Sequence, residues 1–191
     1  MGPDSHRRPA GARPPGGIGE GHLTTRWSLE AEIGQALLGR GWTLAVAESC
    51  TGGLLSHRLT NVPGSSRYFL GGVVSYANEA KRRLLGVDAE TLATHGAVSP
   101  QTAREMAQAA RHLFQADVAV AVTGIAGPGG GTPQKPVGLV FLHLSAPDAE
   151  WSERHQWAGG REANKAQSAE AALLLLWRYL KASSQRGKQG K

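Results

Sequence analysis

Short apolar runs that stop at glycine-rich turns, alternating with segments of helical spacing, constrain this sequence more than any other feature. Thr43 to Ala47 is one such run, followed by Glu48-Ser49-Cys50-Thr51-Gly52-Gly53 and then Leu54 to Leu59. Asp117 to Thr123 is another, and it enters Gly124-Ile125-Ala126-Gly127-Pro128-Gly129-Gly130-Gly131-Thr132-Pro133. Runs of this length bounded by turn residues read as buried strands. Strands alternating with helices predict an α/β protein, here a single three-layer α/β/α domain with a mainly parallel central sheet covered on both faces.

The remaining elements follow from capping and periodicity. Ser28 precedes Leu29, Ile33, Ala36 and Leu37, and Gly39 and Gly41 come after them, so a helix is expected over 29–39. Phe69 to Tyr76 reads as a second strand, 78–85 as a helix and 88–94 as a short one. Ser99-Pro100 supplies a cap and a first-turn proline for a helix carrying Ala103, Met106, Ala107, Ala110 and Leu113 on one face. Val137 to Leu144 and Trp151 to Ala158 read as strands joined by a turn at Ala146-Pro147-Asp148, and a last helix is expected over 162–180.

Charge sets the domain limits. The formal net charge is +6, but residues 1–26 hold four arginines against Asp4 and Glu20, and residues 181–191 hold four bases and no acid. Between Trp27 and Leu180, thirteen bases face thirteen acids. The expectation is a disordered Gly/Pro/Arg-rich extension over 1–26, a folded domain over 27–181 and a basic flexible tail over 182–191. A balanced body makes nucleic acid an unlikely partner, since its chemistry must be local rather than a basic field. The longest apolar run, near Ala171 to Trp177, is far short of the roughly 20 residues of a membrane span. A single cysteine, Cys50, and no apolar leader core point to the cytoplasm.

In an open α/β sheet, sites collect where strand ends meet helix starts. Ser49 occupies such a place, with Thr51, Gly52 and Gly53 offering backbone amides to an oxyanion or bound anion. It can equally serve as a helix cap, which is the commoner use of a serine there. No local histidine motif supplies a base, and Lys81, with Tyr76 at the end of the second strand, is the alternative. Taken singly, Tyr76 reads as strand-end packing and Lys81 as one of three solvated bases. The loop after Thr123 lacks the ending of a nucleotide P-loop, yet Thr123 and the amides of Gly124, Gly127 and Gly129 suit a small anion such as a phosphate monoester. Arg161 can add a forked donor, or be a surface charge. The histidines have no metal-ligand spacing, so neither metal nor cofactor is expected.

Five blocks of the chain together resemble the family of the CinA carboxy-terminal domain, also called nicotinamide-nucleotide amidases. They are Ala47 to Gly53, Val62-Pro63-Gly64-Ser65-Ser66, Gly71 to Tyr76 through Asn78-Glu79-Ala80-Lys81, His95-Gly96-Ala97-Val98-Ser99, and Val122 to Pro133 with Lys135-Pro136-Val137-Gly138. The resemblance implies hydrolysis of the carboxamide of nicotinamide mononucleotide to nicotinic acid mononucleotide and ammonia. It implies Ser49 as nucleophile, Tyr76 and Lys81 as its assistants, and Thr123 and Arg161 as parts of the site. Many relatives carry an acidic or amide residue immediately before that arginine, where this chain has Gly160. Longer relatives carry a further amino-terminal domain, so the chain resembles the stand-alone form. A non-catalytic ligand-binding or competence- and DNA-damage-associated module of the same fold is the alternative function, and a homodimer is left open.

Overall fold

The computed structural model describes residues 28–189, with side chains through Ser183. The extension expected over 1–26 lies outside the described residues. The chain runs α1 (Leu29–Leu38), β1 (Leu44–Glu48), α2 (Leu54–Thr60), a single 3-10 turn (Ser65–Arg67), β2 (Phe69–Val74), α3 (Asn78–Leu85), α4 (Ala89–Thr94), α5 (Pro100–Leu113), β3 (Val118–Gly124), β4 (Leu139–Ala146), β5 (Ala149–Gln156) and α6 (Arg161–Gln189). Caps are where the sequence puts them: the Ala31 amide donates to Ser28 Oγ, and the Thr102 amide to Ser99 Oγ ahead of Pro100. The last helix runs past its expected end at Leu180. Its apolar periodicity stops there, but no proline follows to stop the backbone.

The strands form one sheet in the order β2-β1-β3-β4-β5. β1 pairs in parallel with both β2 and β3, whereas β3–β4 and β4–β5 are antiparallel. The sheet is therefore mixed rather than parallel throughout. The reason lies in the connections: only the glycine-rich loop joins β3 to β4, and without a crossover helix the chain can return only antiparallel. The second reversal is the hairpin expected at Ala146-Pro147-Asp148, and Ala146 pairs with Ala149 across it.

Alternation along β1 and β3 separates the two faces. Leu44 and Val46 with Val118, Val120 and Val122 point to one side, where Ile33 and Leu37 of α1, Leu55 and Leu59 of α2 and Leu173 and Leu176 of α6 complete a core. Ala45, Ala47, Ala119 and Ala121 point to the other, against Met106, Ala107 and Ala110 of α5. Small residues on both surfaces let α5 lie close to the sheet. Each face is thus covered, giving the three layers expected. Among the described residues, no helix is long and apolar enough to cross a membrane.

Candidate active site

The carboxyl ends of β1 and β3 and the start of α6 enclose a crevice of about 260 Å³, lined by Ser49, Cys50, Tyr76, Arg161 and the loop from Gly124 to Gly130. Each strand end is prolonged by one hydrogen bond beyond its ladder. The Ser49 amide donates to Val122 O at 2.9 Å and the Ser75 amide to Glu48 O at 2.8 Å. These bonds fix the directions in which residues 49 and 75 leave the sheet.

Ser49 does not cap α2. The cap position falls to Gly53, at φ 97°, which has no side chain to use. The carboxylate of Glu48, fully buried, takes over instead. It accepts from the amides of Gly53, Leu55 and Ser56 at 3.0, 3.0 and 2.8 Å and from Ser56 Oγ at 2.6 Å. A negative charge satisfying the free N–H groups of a helix start is favourable on both hydrogen-bonding and dipole grounds. The sequence reading missed this residue. The signal available to it was an acid at a strand end ahead of a helix whose cap position holds only glycine.

Released from capping, Ser49 Oγ accepts from Lys81 Nζ at 2.9 Å. Lys81 lies in the second turn of α3 and is 1% exposed, so it is not a solvated base. Its second contact is with Ser75 O at 2.7 Å. Burial pushes the lysine below its ordinary value, with the Cys50 side chain opposing the shift by a smaller amount. The Cys50 thiol is pushed the other way by its own burial, to about 12, and is therefore protonated and unreactive at neutral pH. Of the two adjacent candidates, the hydroxyl has a base and the thiol does not.

Tyr76 is 57% exposed and stands at the crevice rim rather than packing under the sheet. Its phenol oxygen accepts from Arg161 Nη2 at 2.5 Å, while Arg161 Nη1 donates to Gly127 O at 2.7 Å. The guanidinium thus ties the β2–α3 corner to the glycine-rich loop. That loop is anchored again from α6 by Asn164, 1% exposed, whose Nδ2 donates to Ala126 O at 3.0 Å while its Oδ1 accepts from the Gly159 amide at 3.1 Å. Asn164 carried no local signal in the sequence, because its partners are a distant loop and the turn before its own helix.

The structure brings Ser49, Lys81, Tyr76, Arg161, Gly124, Gly127 and Gly129 to one crevice or its wall. It does not bring the Thr123 hydroxyl there. Thr123 is fully buried and donates to Ala97 O at 2.7 Å, which ties the end of β3 to the 95–99 block. Thr51 is also buried, its hydroxyl unpartnered among the described residues. Among the described residues, the backbone amides of Cys50, Thr51, Gly127, Gly129 and Gly130 make no hydrogen bond to protein acceptors. They are free donors in the first turn after the nucleophile and in the facing loop. No group of three or more His, Cys, Asp or Glu side chains among the described residues could hold a metal ion.

The sequence model of the CinA C-terminal domain matches residues 26–180. The chain belongs to the CinA C-terminal domain family. It is 53% identical over 155 residues to a CinA-like protein of Desulfotalea psychrophila, covering 81% of this chain and 38% of that protein. It is 51% identical over 168 residues to a CinA-like protein of Chloroherpeton thalassium, covering 85% and 40%. The chain therefore spans well under half the length of these curated relatives. Among solved structures, the competence/damage inducible protein CihA of Agrobacterium tumefaciens superposes with a TM-score of 0.78 at 44% identity, over 80% of this chain and 93% of that one. A CinA superfamily protein of Klebsiella pneumoniae gives the same TM-score at 38% identity, over 81% and 96%.

Proposed function

We propose that this CinA-family domain hydrolyses the carboxamide of nicotinamide mononucleotide, releasing ammonia and nicotinic acid mononucleotide, with Ser49 as nucleophile. The observation that carries the reading is the buried Lys81, below its ordinary pKa and 2.9 Å from Ser49 Oγ. A lysine whose burial loosens its hold on the proton is a better general base for a serine hydroxyl than an exposed one. The Ser49 proton passes to Lys81 Nζ as Oγ bonds to the amide carbon, and the amides of Cys50 and Thr51 receive the developing oxyanion. The carbon–nitrogen bond then breaks, the departing nitrogen takes the proton from Lys81, and water hydrolyses the acyl-serine by the reverse proton path. Contact with Ser49 favours Lys81 over Tyr76 as base. Tyr76, hydrogen-bonded to Arg161, frames the mouth.

The test is ammonia release from nicotinamide mononucleotide by the unmodified chain and by Ser49→Ala, with circular dichroism to verify that the variant is folded. The expected loss is about a thousandfold or more, the scale on which removing a serine nucleophile acts. Turnover retained in folded, metal-free Ser49→Ala would remove Ser49 from the role. A folded unmodified chain that binds the nucleotide and releases no ammonia would be a binding module instead.

A further inference from the structure

Ser75 is fully buried, yet its hydroxyl makes no hydrogen bond among the described residues. A buried hydroxyl without a partner costs stability that an alanine would not. Thr51 Oγ1 is in the same condition, but no contact among the described residues ties Thr51 to Lys81. Ser75 is tied to it directly, since its carbonyl oxygen accepts from Lys81 Nζ at 2.7 Å. Strand parity aims the idle hydroxyl: Ser75 continues Gly71 and Val73, which face Phe114 and the α5-side core. Lys81 arrives on that same side, because it and Leu85 are the two buried residues of α3 and Leu85 belongs to that core. Ser49 continues Ala45 and Ala47 there, and the pairing of Glu48 with Val74 sets Ser49 and Ser75 on one rung, about 4.8 Å apart as neighbouring strands are.

A protonated lysine has three N–H donors and no acceptor. At 1% exposure Lys81 must place all three inside the protein, and among the described residues it places two, on Ser49 Oγ and Ser75 O. The shortfall grows as the reaction proceeds. When Ser49 Oγ bonds to the amide carbon its proton passes to Nζ, and Oγ becomes an ester oxygen, a poorer acceptor than the hydroxyl. No neighbouring charge answers the new ammonium directly. Cys50, after β1, is protonated, and the Glu48 carboxylate is turned to the start of α2. α5 presents Met106 and Ala107 to this side, with its Glu105 bonded to Thr91, and Thr123 at the end of β3 is neutral. On α3 itself Glu79, Arg82 and Arg83 are exposed and pair with one another, while Tyr76 is held by Arg161.

Resting on the amidase reading above, we propose that the Ser75 hydroxyl, turned about its Cα–Cβ bond, is the third acceptor of protonated Lys81, making Ser75 a positioning residue that holds the proton in transit between Ser49 and the departing nitrogen. The hydroxyl is idle while Lys81 is neutral and filled when it is charged, which accounts for a serine where alanine would cost less. A charge-assisted bond to the ammonium favours the charged form, so it offsets part of the downward pull that burial exerts on Lys81.

The experiment measures kcat, KM and their pH dependence for ammonia release from nicotinamide mononucleotide in the unmodified chain, Ser75→Ala, Ser75→Cys and Ser75→Thr, with a thermal melt of each. Ser75→Ala should melt no lower than the unmodified chain, because it removes an unpaired hydroxyl. Its kcat should fall about tenfold to a hundredfold at unchanged KM, the size of one charge-assisted bond. Its rising pH limb should move about one pH unit lower, because the ammonium has lost an acceptor. Loosened packing that admitted water would move the limb the opposite way, toward the ordinary lysine value. Ser75→Cys, which keeps the bulk with only a weak acceptor, should follow Ser75→Ala, and Ser75→Thr should restore both readouts. An unchanged or raised limb, or a kcat within about twofold, in folded Ser75→Ala or Ser75→Cys would overturn the assignment. If the unmodified chain releases no ammonia, the amidase reading fails by itself. Carbon-13 NMR titration of labelled Lys81, assigned with Lys81→Arg, then decides Ser75: a pKa lowered in Ser75→Ala supports the role, and one equal or raised refutes it.

Discussion

Replacing Glu48 by glutamine keeps the side-chain shape and removes one acceptor, which makes it a sharp probe of how the reactive turn is held. The carboxylate satisfies three backbone amides and one hydroxyl. The least damaging orientation of the amide places its NH2 toward Ser56, where the hydroxyl can rotate to accept but the Ser56 N–H meets another donor. One buried N–H is then unsatisfied, at about 1–3 kcal/mol, and the two remaining bonds lose charge assistance at roughly 1 kcal/mol each. Burying a neutral amide instead of a carboxylate returns part of that. The net expectation is a loss of about 3 kcal/mol, which for a chain of this size lowers the melting temperature by about 6–12 °C. Urea unfolding should show a lower midpoint with an unchanged slope. Because the same bonds orient the turn bearing Ser49, amidase kcat should fall as well. An unfolding free energy for Glu48→Gln within about 0.5 kcal/mol of the unmodified chain would refute the capping role, since surface substitutions stay within that margin.

Further outcomes concern Lys81 and two glycines. Lys81→Arg should be nearly inactive in the ammonia assay, because a guanidinium keeps its proton, and the rate of the unmodified chain should rise with pH through a value below the ordinary lysine pKa as neutral Lys81 accumulates; a flat or falling limb would exclude the base role. The same depression means that, between the folded and unfolded pKa values, the unfolded chain binds the additional proton, so this group's contribution to stability increases as pH rises through that window. Gly138→Ala should unfold the chain or cost well over 3 kcal/mol, since at φ +88° its Cβ would lie 1.9 Å from Trp157 O, while Gly41→Ala, at φ +65° with nothing within 4 Å, should show only the roughly 1–2 kcal/mol of a left-handed residue. Thermal midpoints of the two variants measure the contrast.

The layers were legible because the alternation of Val or Leu with Ala in β1 and β3 encodes both faces at once, and because Ser28, Ser99 and Pro100 mark helix starts chemically. The same period of two explains Thr123. It continues the parity of Ala119 and Ala121, so its hydroxyl faces the α5 side and meets Ala97 O. Reading it only as the residue before a glycine loop ignored that parity. Ser49 and Lys81 could be nominated from a turn and a helix start, but their contact depends on how Ser75 leaves β2, which only the register of β1 against β2 determines. Glu48 and Asn164 act on groups brought close by tertiary structure alone.

The neck of the glycine-rich loop is closed by two hydrogen bonds, Gly138 N–H to Ile125 O at 2.7 Å and Ile125 N–H to Leu139 O at 2.9 Å. Chain entropy for shaping this loop is therefore lost once, during folding, and a ligand arriving at its amides does not have to restrict a free coil. Changes in length at the outward tip near Gly131 and Thr132 would alter what the mouth admits while the hinge strands stay paired. The loop can thus vary in reach across related chains without loosening the sheet that carries it.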